Sequence, residues 1–599
     1  MSRRFYVGLA ATYHDPAIAI VDDTGRVLFA EACERPLQDK RAFNAPADHL
    51  VRAPQLIRKY CPSDADIVVA VSWAKGYVYA MRAITDVTSW ISRFADGPID
   101  QTYTWPWPTM ETQMTALTAS ITMAGQNLRG SRGLSNHVTI RHYDHHLCHA
   151  ATACYTSPFE HAACAIVDGH GGKGSCAFYE YKNGRLKNVK SAADGIDMGS
   201  LGQFYSVLCA LCGFDSIQGE EWKVMGLASY GKFSPEWYAR LEPLLRVRGM
   251  SLLQMSGTRY LSTLDRLRKL ARQLGQPALE VADLAFTGQH RFAEIMTQLL
   301  CGLARKGISE NLVLGGGCAL NSSFNGRITR ETPFKNLHIP MAPGDDGNAL
   351  GAAWLAFYED NPSAPHVPAV HTPYLGSQLS ATSLDHLVQF NGSRIRRFPD
   401  GPHEHVADLL ADGRIVGWAR GAAEFGPRAL GNRSILADPR DPDMMHKLND
   451  RVKFREEFRP FAPSILEEFA PEWFEDYQSS PYMDRTLRFH PNVRARFPAV
   501  VHVDGTGRLQ SVSKNSAPDF HRLIESFHRR TGVPMLLNTS FNVMGKPIIH
   551  SIQDAVAVFY TTGLDVLVLE DVVIEKPRRP AKKKPPAGLK SRRQSRPAS

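Results

Sequence analysis

One arrangement occurs twice in this chain: short β-strands wrapped around a polar or glycine-rich hairpin. In the first copy Phe5–Ala10 reads as a strand, Thr12–Pro16 as a tight loop and Ala17–Val21 as a second strand. Asp22-Asp23-Thr24-Gly25 then turns the chain into a third strand, Val27–Ala32. In the second copy Ala163–Val167 is a strand, Asp168-Gly169-His170-Gly171-Gly172 a loop and Ser175–Tyr181 a strand. Asn183-Gly184, a strong hairpin signal, leads into a further strand. Two such units predict a duplicated α/β core. A third element fits it: Asn311–Leu314 reads as a strand, followed by Gly315-Gly316-Gly317 and by Ala319-Leu320-Asn321 entering a helix. A glycine run at a strand end lets backbone approach a ligand and offers free N–H groups, although a plain tight turn uses the same residues.

The 599 residues are 43% hydrophobic and 22% charged, which supplies large cores and excludes disorder for most of the chain. Asp360–Tyr374 carries Pro362, Pro365, Pro368 and Pro373 and reads as a linker. The expected organisation is an N-terminal domain over 1–360, a proline-rich linker over 361–375, a second α/β domain over 376–575 and a basic disordered tail over 576–599. Within the second domain Phe520, Leu523, Ile524 and Phe527 mark one helix face, with Ser516 or Asp519 as candidate start and Gly532 after the end. The net charge is +9, but ten Lys/Arg and no Asp/Glu lie from Lys576 onward, so the body is near neutral. A body-wide nucleic-acid surface is therefore not indicated, and the tail supplies only salt-sensitive, nonspecific attraction.

The apolar run after Arg3 and Arg4 is interrupted by His14 and Asp15, so it does not read as a secretory signal. No run reaches the roughly 18 apolar residues of a membrane span. The ten cysteines lie between Cys33 and Cys318 without the spacing of a small disulfide scaffold. Cys209 and Cys212 sit in an apolar segment with no second pair for zinc, so reduced thiols in a cytoplasmic protein are expected.

His145-His146-Leu147-Cys148-His149 places His145 and His149 at i, i+4, on one face of a helix. A zinc protease needs Glu beside the first of them, and His146 stands there instead. Asp168 ends the next strand, and Gly344-Asp345-Asp346-Gly347 supplies further carboxylates before a small-residue helix, Ala349–Ala353. Two His with Asp168 and Asp345 or Asp346 make a mixed nitrogen and oxygen site for Fe²⁺, Mn²⁺ or Zn²⁺, and ligand softness does not choose among them.

The paired hairpins resemble the actin/sugar-kinase (ASKHA) superfold, in which two such loops face each other across a nucleotide. The order HxxxH, Asp-Gly loop, GGGxALN, GDxG resembles the metal- and nucleotide-binding domain shared by tRNA threonylcarbamoyl-transferases and the O-carbamoyltransferases of the NodU/CmcH family. The second region separates these. Glu424-Phe425-Gly426-Pro427-Arg428-Ala429-Leu430-Gly431-Asn432-Arg433-Ser434-Ile435-Leu436 resembles the NodU/CmcH signature. So do Asn449–Ser464, with Lys453-Phe454-Arg455 and Phe458-Arg459-Pro460-Phe461, and Leu537-Asn538-Thr539-Ser540-Phe541-Asn542. Lys453-x-Arg455 with Ser540-x-Asn542 is also similar to the KxR…SxN set of YrdC-like domains. Independently of the name, Lys453, Arg455, Arg428 and Arg459 make a cationic pocket suited to phosphates, and Ser540 and Asn542 suit a small planar carbamate or the nucleotide.

The resemblance implies an α/β chain with a duplicated ASKHA-type N-terminal domain and a YrdC-like C-terminal domain. It implies an ATP-dependent O-carbamoyltransferase. Carbamate released from carbamoyl phosphate is joined to the α-phosphate of ATP, giving carbamoyl-adenylate and pyrophosphate. An acceptor hydroxyl, on a secondary metabolite such as an antibiotic or toxin scaffold, then attacks the carbamoyl carbon and AMP leaves. The implied cofactors are ATP with Mg²⁺ and a divalent metal, Fe²⁺ first. Gly316, Gly317 and Asn321 are implied at the nucleotide with Arg428, Lys453, Arg455, Ser540 and Asn542. His14 matches the family's HD position and is the candidate base; a loop-capping role is its alternative. Lys223, in a further family motif, is expected to line the acceptor or phosphate site or to act structurally.

Two positions depart from the family pattern. The usual arginine before Glu-Phe-Gly-Pro is Ala422, with Arg420 two residues earlier, and the usual Gly-Glu-Pro is Gly545-Lys546-Pro547. The aromatic stretch Trp90–Trp107 is the expected source of acceptor specificity. The expected partner is a hydroxylated small molecule, with no membrane and no specific nucleic acid, and with the oligomeric state, a homodimer included, left open. The competing readings are a threonylcarbamoyl-transferase, against which the EFGPRALG and KxRxxFRPF blocks argue, and an ASKHA kinase, against which the His pair and second domain argue.

Overall fold

Runs rich in Val, Ile, Ala and Phe form the strands of both hairpin units, where the pleat buries them. In the computed structural model, residues 3–577 are described apart from 78, 81, 82, 84–106, 132, 133, 135, 136, 190–198, 366–371, 391–394 and 457. Strands β1 (Arg4–Ala10), β2 (Ala17–Val21), β3 (Val27–Ala32), β4 (Asp66–Val71) and β5 (Val138–His142) form a sheet of order β3-β2-β1-β4-β5. β6 (His161–Gly171), β7 (Gly174–Lys182) and β8 (Arg185–Asn188) open the second unit, and β9 (Leu245–Arg248) pairs with β10 (Ser251–Gln254) as a separate ribbon. With β11 (Asn311–Gly315) and β12 (Asn336–His338) the second sheet runs β12-β11-β6-β7-β8. In each sheet the first three strands are antiparallel and the last two join in parallel, so the duplication read in the sequence is a duplication of topology.

The second hairpin differs from expectation. β6 continues through the expected loop to Gly171, and its register against β7 is irregular between Val167 and Gly171. Asp168 lies in that irregular stretch, where a bulge re-aims a side chain.

Two helices rich in small residues, His145–Tyr155 and Asn348–Asp360, pack against each other between the two sheets. Ala150, Ala153, Ala349, Ala352 and Ala353 share one buried cluster with Tyr6 of β1 and Ile166 of β6. The approach is close: a Cβ on Gly351 would lie 2.0 Å from the Cys148 carbonyl oxygen, and one on Gly8 would lie 1.7 Å from that of Ala349.

The C-terminal part is built on strands β13 (Ile395–Arg397), β14 (Val416–Ala419), β15 (Arg433–Ala437), β16 (Ala462–Leu466), β17 (Arg485–Arg488), β18 (Thr506–Val512), β19 (Met535–Ser540), β20 (Val566–Leu569) and β21 (Val572–Glu575). They form a nine-stranded sheet of order β13-β21-β20-β14-β15-β19-β16-β18-β17. The helix Pro518–Thr531 buries Phe520, Leu523, Ile524 and Phe527 and ends at the left-handed Gly532, as its periodicity predicts. Neither proposed cap serves: Ala517 is the capping residue, and Asp519 is taken by Arg420 and His403.

The described end of the proline-rich linker is hydrogen-bonded rather than free. Ala30 N–H donates to Leu375, and the Gly376, Ala423 and Phe425 amides tie that stretch to the motif loop. Glu31, buried at 2% exposure, binds Arg52, the Ser377 N–H and His550 across the same seam. All ten cysteines are free thiols. Among the described residues no helix is long and apolar enough to cross a membrane. The tail beyond 577 and the Trp90–Trp107 stretch lie outside the described residues, except that Trp107 opens the helix Trp107–Met123.

Gly8→Ala pushes a methyl into the Ala349 carbonyl and is expected to cost roughly 3 kcal/mol or more, read as a lowered denaturation midpoint. Burial alone would raise Glu31, but His550, Arg52 and the Ser377 amide hold it at about 2. Its stabilising contribution is thus present above its unfolded pKa near 4.3 and is lost as pH falls toward 2. Glu31→Gln is expected to remove on the order of 2 kcal/mol at neutral pH and to flatten the acid limb of a stability-against-pH curve.

Candidate functional site

The helix His145–Tyr155 is capped by Asp144, whose side chain accepts from the Leu147 N–H, so the helix starts at His145 and presents His145 and His149 one turn apart. Asp345 lies in the tight turn Asp345–Gly347 that enters the neighbouring helix, and Asp168 comes from β6. Ligating atoms of His145, His149, Asp168 and Asp345 all lie within 4.8 Å of one another. His145 Nε2 is 3.3 Å from Asp168 and 3.6 Å from Asp345, and His149 Nε2 is 3.4 Å from each.

Burial opposes charge on both rings, yet the two carboxylates outweigh it and raise His145 to about 10 and His149 above its ordinary value. The same contacts hold Asp168 and Asp345 well below the usual carboxylate range against their burial. The Gly317 N–H donates to Asp168 Oδ1 at 2.9 Å, which leaves Oδ2 facing the histidines. The Trp73 ring stacks on His145 at 4.0 Å.

These residues fit a divalent ion. His149 Nε2 is buried without a hydrogen-bond partner, and the nitrogen–oxygen separations of 3.3–3.6 Å lie near the roughly 3.4 Å edge of a tetrahedron with bonds near 2.1 Å. Two nitrogens and two carboxylates are donors that Fe²⁺, Mn²⁺ and Zn²⁺ all accept. Asp346, the alternative ligand, stands outside the donor group. Its Oδ1 accepts the Gly347 N–H at 3.0 Å, and burial, with the charges of Asp15 and Glu34, pushes it up to about 7.

In the first hairpin Asp15 adopts a left-handed conformation, φ 55°, and its carboxylate binds His14 Nδ1 at 2.9 Å. Arg41, which sequence reasoning did not single out, clamps the same oxygen through Nε at 3.1 Å and Nη2 at 3.0 Å. Despite burial, Arg41 and His14 hold Asp15 at about 2. The carboxylate is therefore an anion that fixes the imidazole.

The glycine run serves a different purpose from the one its sequence suggests. Gly316 N–H donates to Pro343 and Gly317 N–H to Asp168, so neither is free for phosphate. Gly316 is glycine for space as well as for its φ of 86°, since a Cβ would meet the Val167 oxygen at 2.4 Å. Asn321 is bound amide to amide with Gln289, at 2.9 and 3.0 Å, and accepts from the Phe324 N–H. Its side chain holds the loop.

In the C-terminal domain Lys453 closes the helical turn Asn449–Lys453, and Phe454, at φ 49°, reverses the chain toward Arg455. Lys453 is 3% exposed. Its ammonium donates to the Ser540 carbonyl, to the Asn542 carbonyl at 3.1 Å and to Asn542 Oδ1 at 2.8 Å. Burial, with Arg455, Arg459 and Lys40 nearby, pushes it well below the lysine range. Arg455 binds Asn449 Oδ1 at 2.8 Å and lies 4.3 Å over Phe461. Arg459 lies 3.8 Å over Trp222.

Lys223 bridges the domains, binding Glu220 at 2.6 Å and Glu456 at 3.0 Å, and Glu456 also accepts from Arg459 at 3.2 Å. Within the long motif, Glu424 accepts the Leu430, Asn432 and Arg433 N–H groups, and Arg433 donates to four carbonyls. These two shape the loop that presents Arg428. Arg420 is committed to Asp519 at 2.8 and 3.1 Å.

Arg428 and Arg508 have no carboxylate in ion-pair range among the described residues, and Arg508 Nε is buried without a partner. Burial lowers Arg428 to about 10, and burial with Arg428 and Arg455 nearby holds Arg508 well below the usual arginine range. Sequence reasoning missed Arg508. It lies on β18 in alternation with Thr506 and Gln510, a pattern that reads as a solvent face, whereas Gln510 is 2% exposed.

One cavity of about 1490 Å³ is lined by His14, Asp168 and Asp345 from the N-terminal domain and by Arg428, Lys453, Arg455, Arg459, Arg508, Ser540 and Asn542 from the C-terminal domain. Lys546, at the departure from Gly-Glu-Pro, lines it too and adds a cation.

The family model described as Carbamoyltransferase N-terminus matches residues 6–354, and that described as Carbamoyltransferase C-terminus matches residues 407–576. Nodulation protein NolNO of Sinorhizobium fredii is 37% identical over 72% of this chain and 63% of its own length, so the match spans less than two thirds of that protein. An uncharacterized protein of Synechocystis sp. is 31% identical over 96% of this chain and 97% of its own. Nodulation protein U of Sinorhizobium fredii is 29% identical over 89% of this chain and 93% of its own. Matched through both the domain that carries the His145 group and the arginine-rich domain, the chain belongs to the carbamoyltransferase family.

Proposed function

We propose that this carbamoyltransferase activates the carbamoyl group with ATP in its C-terminal domain and transfers it to an acceptor hydroxyl beside the His145 cluster. The observation that carries the reading is the single cavity joining arginines without counter-ions to the metal-ligand group. Partly buried cations without anionic partners are unfavourable, and a bound polyphosphate offsets that cost. Arg428, Arg455 and Arg508 suit ATP and carbamoyl phosphate, with Arg forks matching phosphate oxygens. In this reading the C-terminal domain is YrdC-like. Water first cleaves carbamoyl phosphate to carbamate and inorganic phosphate; a carbamate oxygen then attacks the α-phosphate of ATP, pyrophosphate leaves, and the cations neutralise the developing charge.

The carbamoyl-adenylate then stays inside the shared cavity, away from water. Held by Asp15 through Nδ1, His14 takes the acceptor proton on Nε2 as the hydroxyl oxygen attacks the carbamoyl carbon and AMP leaves. His145, His149, Asp168 and Asp345 would hold a divalent ion, Fe²⁺ being the first candidate, which would supply Lewis-acid polarisation of the carbonyl. The acceptor class that suits this reading is a hydroxylated secondary metabolite.

The test is pyrophosphate release from ATP by the purified chain without acceptor. Release of pyrophosphate and AMP is expected only with carbamoyl phosphate, and is expected to fall at least about 100-fold in Arg508→Ala and in Lys453→Ala. ADP in place of pyrophosphate overturns the adenylation step. In His14→Ala the pyrophosphate-releasing step is expected to persist while transfer to a hydroxylated acceptor falls roughly 10²–10⁴-fold. Loss of both steps together refutes the division of labour between the domains.

A further inference from the structure

We infer that Asn348 is a positioning residue that orients the His145 imidazole for metal ligation. The inference rests on the metal reading of the cluster above. Asn348 opens the helix that follows Asp345 and is fully buried, at 0% exposure. Its amide end lies 3.3 Å from His145 Nδ1, while its Oδ1, also buried, has no partner.

His145 faces the two carboxylates and His149 through Nε2. For Nε2 to ligate it must carry a lone pair, so the neutral ring holds its proton on Nδ1. That proton is buried with the ring, at 1% exposure, and needs an acceptor. Among the described residues Asn348 is the group within hydrogen-bond reach of Nδ1.

A half-turn of the terminal amide brings its oxygen to the position facing the ring. The Nδ1–H then donates to Oδ1, and the buried oxygen gains the partner it lacks. Trp73, stacked 4.0 Å away, fixes the ring plane, and Asn348 fixes which edge faces the centre. A ligating histidine whose second nitrogen is bound in this way holds both its tautomer and its orientation. Asp168 is oriented by the same logic, through the Gly317 N–H on its other oxygen.

The experiment strips the full-length protein with a chelator and titrates Zn²⁺, and separately Mn²⁺, against a chromophoric competitor. The thermal midpoint of each metal-free protein is recorded in parallel. Asn348→Leu removes the acceptor at similar volume, whereas Asn348→Asp keeps an acceptor in place and removes the donor. Asn348→Leu is expected to weaken metal binding roughly 10–100-fold in a metal-free protein that still unfolds in a single cooperative transition, and Asn348→Asp to stay within about threefold of the parent.

Asn348→Ala is expected to repeat the loss, and it replaces the leucine variant if that chain does not fold. Equal losses in Asn348→Asp and Asn348→Leu, or parent-like binding in Asn348→Leu, overturn the inference. His149→Ala separates the two levels of the argument. If it binds metal as the parent does, the metal reading itself fails and this inference with it. If it loses binding while Asn348→Leu does not, only the role of Asn348 falls.

Discussion

Close packing of two small-residue helices between two like sheets is the constraint on which the His145, His149, Asp168 and Asp345 group depends. His145 and His149 lie on one of these helices, and Asp345 and Asn348 lie at the start of the other. Gly351 against the Cys148 carbonyl and Gly8 against Ala349 leave no room for a methyl group. The alanines and glycines therefore do more than fill a core. They set the helix separation, and that separation brings carboxylates within 3.3–3.6 Å of both imidazoles. Protein interiors transmit such constraints because they are packed like crystals rather than liquids.

The C-terminal domain solves a different problem: how to keep several cations close together in a partly buried cavity. Some are neutralised within the protein. Lys223 and Arg459 share Glu456, and Arg420 is taken by Asp519. Arg433 donates to carbonyls, and Glu424 accepts from backbone amides, so the most conspicuous charges of the long motif shape the loop. Arg428 and Arg508 are left facing the cavity without a counter-ion among the described residues. Charge that is satisfied builds the loop, and charge that is not satisfied remains for a ligand in the cavity.

Much of this was legible in the residues. The repeated hairpins gave the duplicated sheets, because strand alternation and turn chemistry act over a few residues. The His145 and His149 spacing gave one helical face, and the periodicity of Phe520, Leu523, Ile524 and Phe527 gave the buried side of its helix. The failures share a cause. Ser516 and Asp519 look like caps, but Asp519 is captured by Arg420, which is distant in sequence. Gly316 and Gly317 look like a phosphate cradle, but their amides are used by Pro343 and Asp168. Arg508 looks like a strand residue on a wet face, and it is half-buried in the wall of the shared cavity.

By itself the sequence determined the elements, the family and the identities of the candidate ligands and cations, since each depends on local spacing or on long ordered motifs. The tertiary structure decided which of those side chains are still available. It placed Asp345 among the donors and turned Asp346 toward its own backbone. It joined the two domains through one cavity, with Lys223 and Glu456 bridging them. It also placed the Asn348 amide against His145. The reason is physical: a hydrogen bond or ion pair uses up a group's capacity to bind anything else, and the partner that uses it comes from a distant part of the chain. Local pattern reports what a residue can do, and packing against remote segments decides what remains for it to do.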